Sequence, residues 1–267
     1  MLVLICTALF TGVNVRAQDS HVIKVMTYNI LHGAAPGLKN SANKVDLEAV
    51  AKVIRSQDPD IVALQEVDSM WSRSNNQFQP EVLAEKTGMK YYYYSDSRSF
   101  TDTAGWGYGI AILSKYPIKD QHTLFLPYYY HPGSENWVNS IVTVEFPGGK
   151  ELKFVCAHFD YLYEDNRLLE AMATNDIATH SNIPVILAGD LNSRPGSAPI
   201  NELKKEFVQT CKICDPTFPS DRPRVKLDYI LYSKSSPFEY KSEQVINNAD
   251  TKFASDHFPY VVELVWK

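Results

Sequence analysis

Residues 22–64 constrain the architecture more than any other stretch of the chain, because they spell strand, amphipathic helix and buried strand in that order. Val22 to Ile30 alternates in the period of a strand and runs into the polar residues Asn29 and His32. Leu47, Val50, Ala51 and Ile54 then recur at helical spacing, with Asn43 as the expected cap and Pro59 closing the pattern. Ile61 to Leu64 is an unbroken apolar strand ending at Gln65-Glu66. A βαβ unit of this kind puts its two strands parallel in one sheet.

Antiparallel pairing is predicted further on. Val138 to Phe146 and Leu152 to Phe159 flank Pro147-Gly148-Gly149 at hairpin distance, so the sheets are mixed. Other strands are expected at Met89 to Tyr94, Gly109 to Leu113, Pro184 to Ala188, Leu227 to Tyr232 and His257 to Trp266. Helices are expected at Pro80 to Thr87, along a face carrying Leu169, Met172, Ala173 and Ile177, and at Ser197 to Phe207. Strand signals continue from residue 22 to residue 265 without repeat or low-complexity stretch, which indicates one domain over residues 18–267.

Residues 1–17 read differently. An apolar run from Leu2 to Phe10 leads to Val15-Arg16-Ala17, the small-x-small pattern of a signal-peptidase site, and implies an exported protein: periplasmic, cell-surface or secreted. The run is too short to span a bilayer. Cys6 falls in this segment, leaving Cys156, which reads as core, and the Cys211-x-x-Cys214 pair. A single pair cannot complete a zinc site, so a local disulfide or two free thiols are favoured over metal.

The ionisable residues cluster where strands end. Asn29, Glu66, His158 with Asp160, Asp190 with Asn192, Asp228, and Asp256 with His257 each lie within a residue or two of a strand terminus. Each alone is an ordinary turn residue. Together they describe a crevice of the kind in which open α/β sheets bind ligands.

The motifs Thr27-Tyr28-Asn29, Leu64-Gln65-Glu66-Val67, Gly189-Asp190-Leu191-Asn192, Leu227-Asp228-Tyr229-Ile230 and Ser255-Asp256-His257-Phe258-Pro259 resemble the endonuclease/exonuclease/phosphatase superfamily in type and order. The resemblance implies a four-layered α/β sandwich of two packed mixed β-sheets flanked by helices, as in DNase I-like proteins. It also implies divalent-metal dependence, usually magnesium, and hydrolysis of phosphoester bonds.

Residue chemistry fits that expectation. Glu66, with Asn29 and Asp256 close by, offers hard oxygen ligands suited to magnesium or manganese. Asp190 is expected to orient or deprotonate water and Asn192 to hold a phosphoryl oxygen, roles the resemblance assigns. His257 would contact the phosphate with Asp228 accepting its other ring proton. His158 is expected to donate to the phosphate or leaving group, or else to be bonded within the sheet. Asp160 and Arg167 read either as substrate contacts or as a helix N-terminal salt bridge. Many relatives carry an Arg in the strand before the hairpin where this chain has Asn139; Asn139 itself, His131 or Arg98 is expected to take over that contact.

A net charge of −5 supplies no basic field for gripping long polyanions. The expected substrate is therefore a small or lipid-linked phosphodiester, with a secreted nuclease and a non-catalytic surface-binding module as alternatives, and the expected state is a monomer. Tyr91 to Tyr94 read as sheet, while Tyr128 to Tyr130 lie in a loop where they could stack on ligand. No Gly-x-Ser-x-Gly elbow or His-Glu-x-x-His helix is present, which excludes the corresponding serine hydrolases and zinc proteases.

Overall fold

The computed structural model describes residues 21–34, 45–97 and 105–267. The leader segment and its cleavage site, Asn43 and Arg98 lie outside these residues.

The chain begins with β1 (His21–Asn29), α1 (Leu47–Gln57), β2 (Ile61–Ser69), α2 (Gln79–Thr87), β3 (Tyr91–Asp96) and β4 (Gly107–Ser114). It continues with β5 (Ile118–Phe125), β6 (Val138–Phe146), β7 (Lys150–His158), α3 (Glu164–Thr179), β8 (Val185–Asp190) and α4 (Ala198–Leu203). The last third holds β9 (Phe207–Gln209), β10 (Asp228–Ser233), β11 (Phe238–Val245), α5 (Thr251–Ala254) and β12 (Tyr260–Trp266).

Two six-stranded sheets result, in the orders β11-β12-β1-β2-β4-β3 and β5-β6-β7-β8-β10-β9. Each is built around one parallel pair, β1 with β2 and β7 with β8, and every other pairing is antiparallel. In both cases the parallel strands are joined by a helix, α1 in one sheet and α3 in the other. The predicted mixed sheets and four-layered sandwich are what forms.

Alternation along the central strands explains the layering. Ile23, Val25, Ile61 and Ala63 point into the core between the sheets, against Val142, Phe154 and Leu187. Their neighbours Met26, Tyr28, Val62 and Leu64 point the other way, under Val50, Ile54 and Leu83 of α1 and α2. Strands buried on both faces must be apolar at every position, which is why β2 begins as a continuous apolar run. α1 starts at Asp46, whose carboxylate accepts from the Ala49 N–H, so Asp46 and not Asn43 is the cap.

Four further expectations needed correction. The helix expected at Ser197 to Phe207 spans only Ala198–Leu203, and Phe207 opens β9. β5 and β11 escaped the sequence reading because they are edge strands with exposed, charged side chains. His257 precedes β12, which begins at Tyr260. The buried face of α3 is Asn166, Glu170, Ala171, Thr174, Asn175 and Ala178, while Met172 is exposed. The apolar periodicity picked the flank of this helix; hydrogen bonds satisfy part of the polar face instead, among them Asn139 Nδ2 to Thr174 Oγ1 at 2.9 Å and Asn166 Nδ2 to Asp160 Oδ2 at 2.9 Å.

Candidate active site

The parallel pairs point their carboxyl ends the same way, so Asn29 and Glu66 leave one sheet beside His158 and Asp190 of the other. Antiparallel β10 brings Asp228 opposite Asp190, and the turn before β12 adds Asp256 and His257. Glu66, His158, Asp190, Asn192, Asp256 and His257 all line one cavity of about 880 Å³.

Local backbone features aim these groups. The β2–β4 register shifts between Leu64 and Val67, and Glu66 at that bulge has φ 57, a conformation a glutamate adopts only under tertiary constraint. Gly189 lies opposite Ala157 in the β7–β8 ladder, where an added Cβ would sit 2.0 Å from the Ala157 carbonyl oxygen. Only glycine permits that approach, and it sets Asp190 at the strand end.

The side chains form one connected set. Asn29 Nδ2 donates to Glu66 Oε1 at 2.9 Å and to Asp190 Oδ2 at 3.2 Å, bridging the sheets. The Asn192 N–H donates to Asp190 Oδ1 at 3.0 Å, and Asn192 Nδ2 to the Phe159 carbonyl at 2.8 Å. His257 Nδ1 donates to Asp228 Oδ2 at 2.9 Å, which turns Nε2 toward Asp190 Oδ2 at 3.6 Å. His158 Nε2 approaches the same oxygen at 3.7 Å. Ser255 Oγ donates to the Asn29 carbonyl and ties the Asp256–His257 turn to β1.

Burial and mutual charge set the protonation states. Burial raises the pKa of Glu66, with Asp256 adding to the effect and the Asn29 amide opposing it. Burial likewise raises Asp190, with Asp228 adding, and raises Asp256. Burial works against a charge on His257, yet Asp228, Asp190 and Asp256 outweigh it and push its pKa up to about 10. His158 is buried beside that imidazolium and falls to about 3, so it is neutral at ordinary pH.

The donor set fits a hard cation. Asp190, Asp228 and His257 offer ligand atoms all within 4.8 Å of one another. A charged His257 held by Asp228 is an ion pair rather than a ligand, however, while Glu66 and Asp256 bring two further carboxylates into the same cavity. These are carboxylates that burial raises, and a divalent ion offsets that penalty. Asn29, also expected to hold the metal, turns its amide nitrogen to the carboxylates, and its oxygen accepts from the Leu31 N–H at 3.1 Å.

The three expected substrate contacts do not line the cavity. Asn139 is fully buried and bonded to Thr174. Asp160 accepts from the Leu162 and Tyr163 N–H groups, and Arg167 donates to the Asp160 carbonyl at 2.9 Å, so both organise the turn into α3. His131 pairs with Asp165 at 2.8 Å and, like Tyr128 to Tyr130, lies away from the cavity. The guanidinium in the cavity belongs instead to Arg73, beside Trp71, Trp106 and Tyr108. Sequence reading missed these; the available signal was tryptophan, since three of the chain's four, Trp71, Trp106 and Trp137, line this one cavity. The Cys211–Cys214 pair forms a disulfide, and Cys156 is a buried thiol that burial pushes up to about 12.

Residues 26–257 match the Endonuclease/Exonuclease/phosphatase family. Among solved structures, an endonuclease/exonuclease/phosphatase from Beutenbergia cavernae is similar at TM-score 0.72 and 23% identity, over 92% of this chain and 72% of that one. A mannosyl-6-phosphatase from Bacteroides thetaiotaomicron superposes at TM-score 0.71 and 20% identity, over 91% and 99%. The human Nocturnin catalytic domain, solved with bound sulfate, gives 0.69 and 19%, over 93% and 98%. At these identities the likeness is one of fold. No curated protein matches the chain by sequence.

Proposed function

Because the chain belongs to the endonuclease/exonuclease/phosphatase family, whose members are phosphoester hydrolases, we propose that it is an exported, divalent-metal-dependent phosphodiesterase acting as a monomer on a small or lipid-linked substrate. The observation that carries this reading is the meeting of Glu66, Asp190 and His257 in one cavity, with Asn29 bridging the first two.

Glu66 and Asp256 are the residues to hold magnesium or manganese, which when bound would neutralise the phosphoryl oxygens. Asp190 accepts the proton of an attacking water or orients it; burial raises its pKa toward the range useful for a base. Asn192 spends one amide hydrogen on Phe159 and keeps a second for a phosphoryl oxygen. His257, held as an imidazolium by Asp228, presents Nε2 to the charge that builds in the transition state. His158 is neutral and can donate one hydrogen bond without adding charge.

Export is supported by the leader-like first segment and by the disulfide, a bond of oxidising compartments. Among the described residues no helix is long and apolar enough to cross a membrane. A nuclease is disfavoured by the acidic net charge and by Arg73 being the sole Lys or Arg lining the cavity among the described residues.

The test is hydrolysis of bis-p-nitrophenyl phosphate, p-nitrophenyl phosphate, plasmid DNA and sphingomyelin with magnesium or manganese, alongside Glu66→Ala and His257→Ala. Diester cleavage is expected to need the cation and to vanish in both variants. Full activity in EDTA would remove the metal from the mechanism, and preferred cleavage of the plasmid would make the protein a nuclease.

A further inference from the structure

A cavity of about 880 Å³ is far larger than a phosphoryl group and is sized for a ligand carrying a ring as well. The residues beyond the acidic cluster therefore face whatever the phosphate is attached to. Continuous with Glu66 through Tyr108, whose hydroxyl bonds the Glu66 carboxylate, runs a wall made by Trp71, Arg73 and Trp106, with Glu135 and Asn136 beside it.

This wall is rigid. Arg73 gives Nε and Nη2 to the two oxygens of fully buried Asp68, at 2.8 and 2.7 Å, and its guanidinium carbon lies 3.6 Å from the Trp71 ring centre. Trp106 stacks on Trp71 at 3.9 Å and 24°. Both faces of Trp71 are thus covered, one by the guanidinium and one by the second indole.

Three consequences follow for the ligand. A nucleobase cannot slide between Trp71 and Trp106, since an intercalated ring needs its neighbours roughly 7 Å apart, twice the contact distance of stacked carbons. Among the described residues a second anionic group meets no unpaired Lys or Arg on this wall, because Asp68 already neutralises Arg73 and Glu135 adds negative charge. An alkyl chain would strand the polar groups unpaired. What remains on offer is a fan of donors and acceptors: guanidinium N–H groups beyond the two given to Asp68, the Trp71 indole N–H, the Glu135 carboxylate and the Asn136 amide. Vicinal hydroxyls on a compact neutral ring, each able to donate and accept, match that set.

We infer that the Trp71–Arg73–Trp106 wall, with Glu135 and Asn136, binds a monosaccharide ring, so that the substrate is a phosphoester of a sugar. This rests on the phosphoester-hydrolase reading of the adjoining acidic cluster.

The experiment compares hexose 6-phosphate, glycerol 3-phosphate and thymidine 5′-phosphate, each as monoester and as methyl diester, in turnover and in calorimetric binding. Within the esters that are cleaved, the hexose compound is expected to exceed both others in kcat/KM by about tenfold or more. Arg73→Met is expected to lower the hexose-to-glycerol ratio about tenfold, through KM rather than kcat, as for loss of a hydrogen bond from a charged donor. Glu135→Gln alters an exposed side chain that the fold does not depend on, and is expected to lower the same ratio. Equal efficiency on all three groups, a preference for thymidine or glycerol, or ratios unmoved in both variants would overturn the sugar assignment while leaving the hydrolase intact. Binding of hexose phosphate that depends on Arg73 without turnover of any ester would keep the sugar site and overturn the hydrolase.

Discussion

Glu170 is a carboxylate in the wrong solvent. It lies on the inner face of α3 with no exposure, and one oxygen accepts from the Asp160 N–H at 2.9 Å while the other is buried without a partner. Burial, with the nearby Asp160 charge adding and the Asp160 N–H opposing, raises its pKa from 4.5 to about 8. The folded chain therefore binds a proton that the unfolded chain has released throughout that window. Stability from this group is complete below pH 4.5 and declines as pH climbs toward 8. At about 1.36 kcal/mol per unit, the loss is bounded at roughly 5 kcal/mol, with about 3 kcal/mol already gone at pH 7. Glu170→Gln keeps an acceptor for the Asp160 N–H and cannot ionise. Urea unfolding of both proteins at pH 5, 7 and 8.5 isolates the effect as a difference. The variant is expected to match the parent at pH 5 and to gain on it steadily with pH. Parallel stability curves, or a variant weaker than the parent at pH 8.5, would refute the reasoning.

Asp228→Asn removes the charge that keeps His257 an imidazolium against burial. Because a raised histidine pKa preserves the charged form up to about 10, the alkaline limb of the pH–rate profile should move down toward neutrality and kcat/KM should drop by roughly two to four orders of magnitude; an unmoved limb counts against the pairing. Gly189→Ala would place a Cβ 2.0 Å from the Ala157 carbonyl oxygen, and backbone on both sides cannot yield. A loss above about 3 kcal/mol, or failure to fold, is expected in thermal melts. Replacing Cys211 and Cys214 by serine opens a loop of sequence separation 3, and chain entropy puts the cost at about 2 kcal/mol, checked by urea unfolding of both forms.

Some of this protein can be read residue by residue along the chain. A strand buried on both faces must be apolar, so the first polar residue after such a run marks where the backbone emerges. That rule marked the strand ends at Gln65-Glu66 and at Asp190, and a hairpin turn located the ladder carrying His158. The same rule fails where burial does not demand apolar side chains. β5 and β11 border solvent, and α3 meets its sheet through amides, hydroxyls and Glu170, so hydropathy pointed to no strand in the first case and to the wrong face in the second. Asn139, Asp160 and Arg167 misled for a related reason: a polar group near a strand end can be turned inward to satisfy backbone as readily as outward to meet ligand.

What the amino-acid order determined by itself is therefore the buried central strands, their mixed pairing and the acidic and imidazole groups at their ends, because those follow from short-range burial and periodicity. Tertiary structure alone decided that Asn29 clamps Glu66 to Asp190, that Asp228 charges His257, and that Trp71, Arg73 and Trp106 close over the same cavity. Those contacts join residues up to 161 positions apart along the chain. They form only when two sheets pack, and local pattern carries no term for that distance.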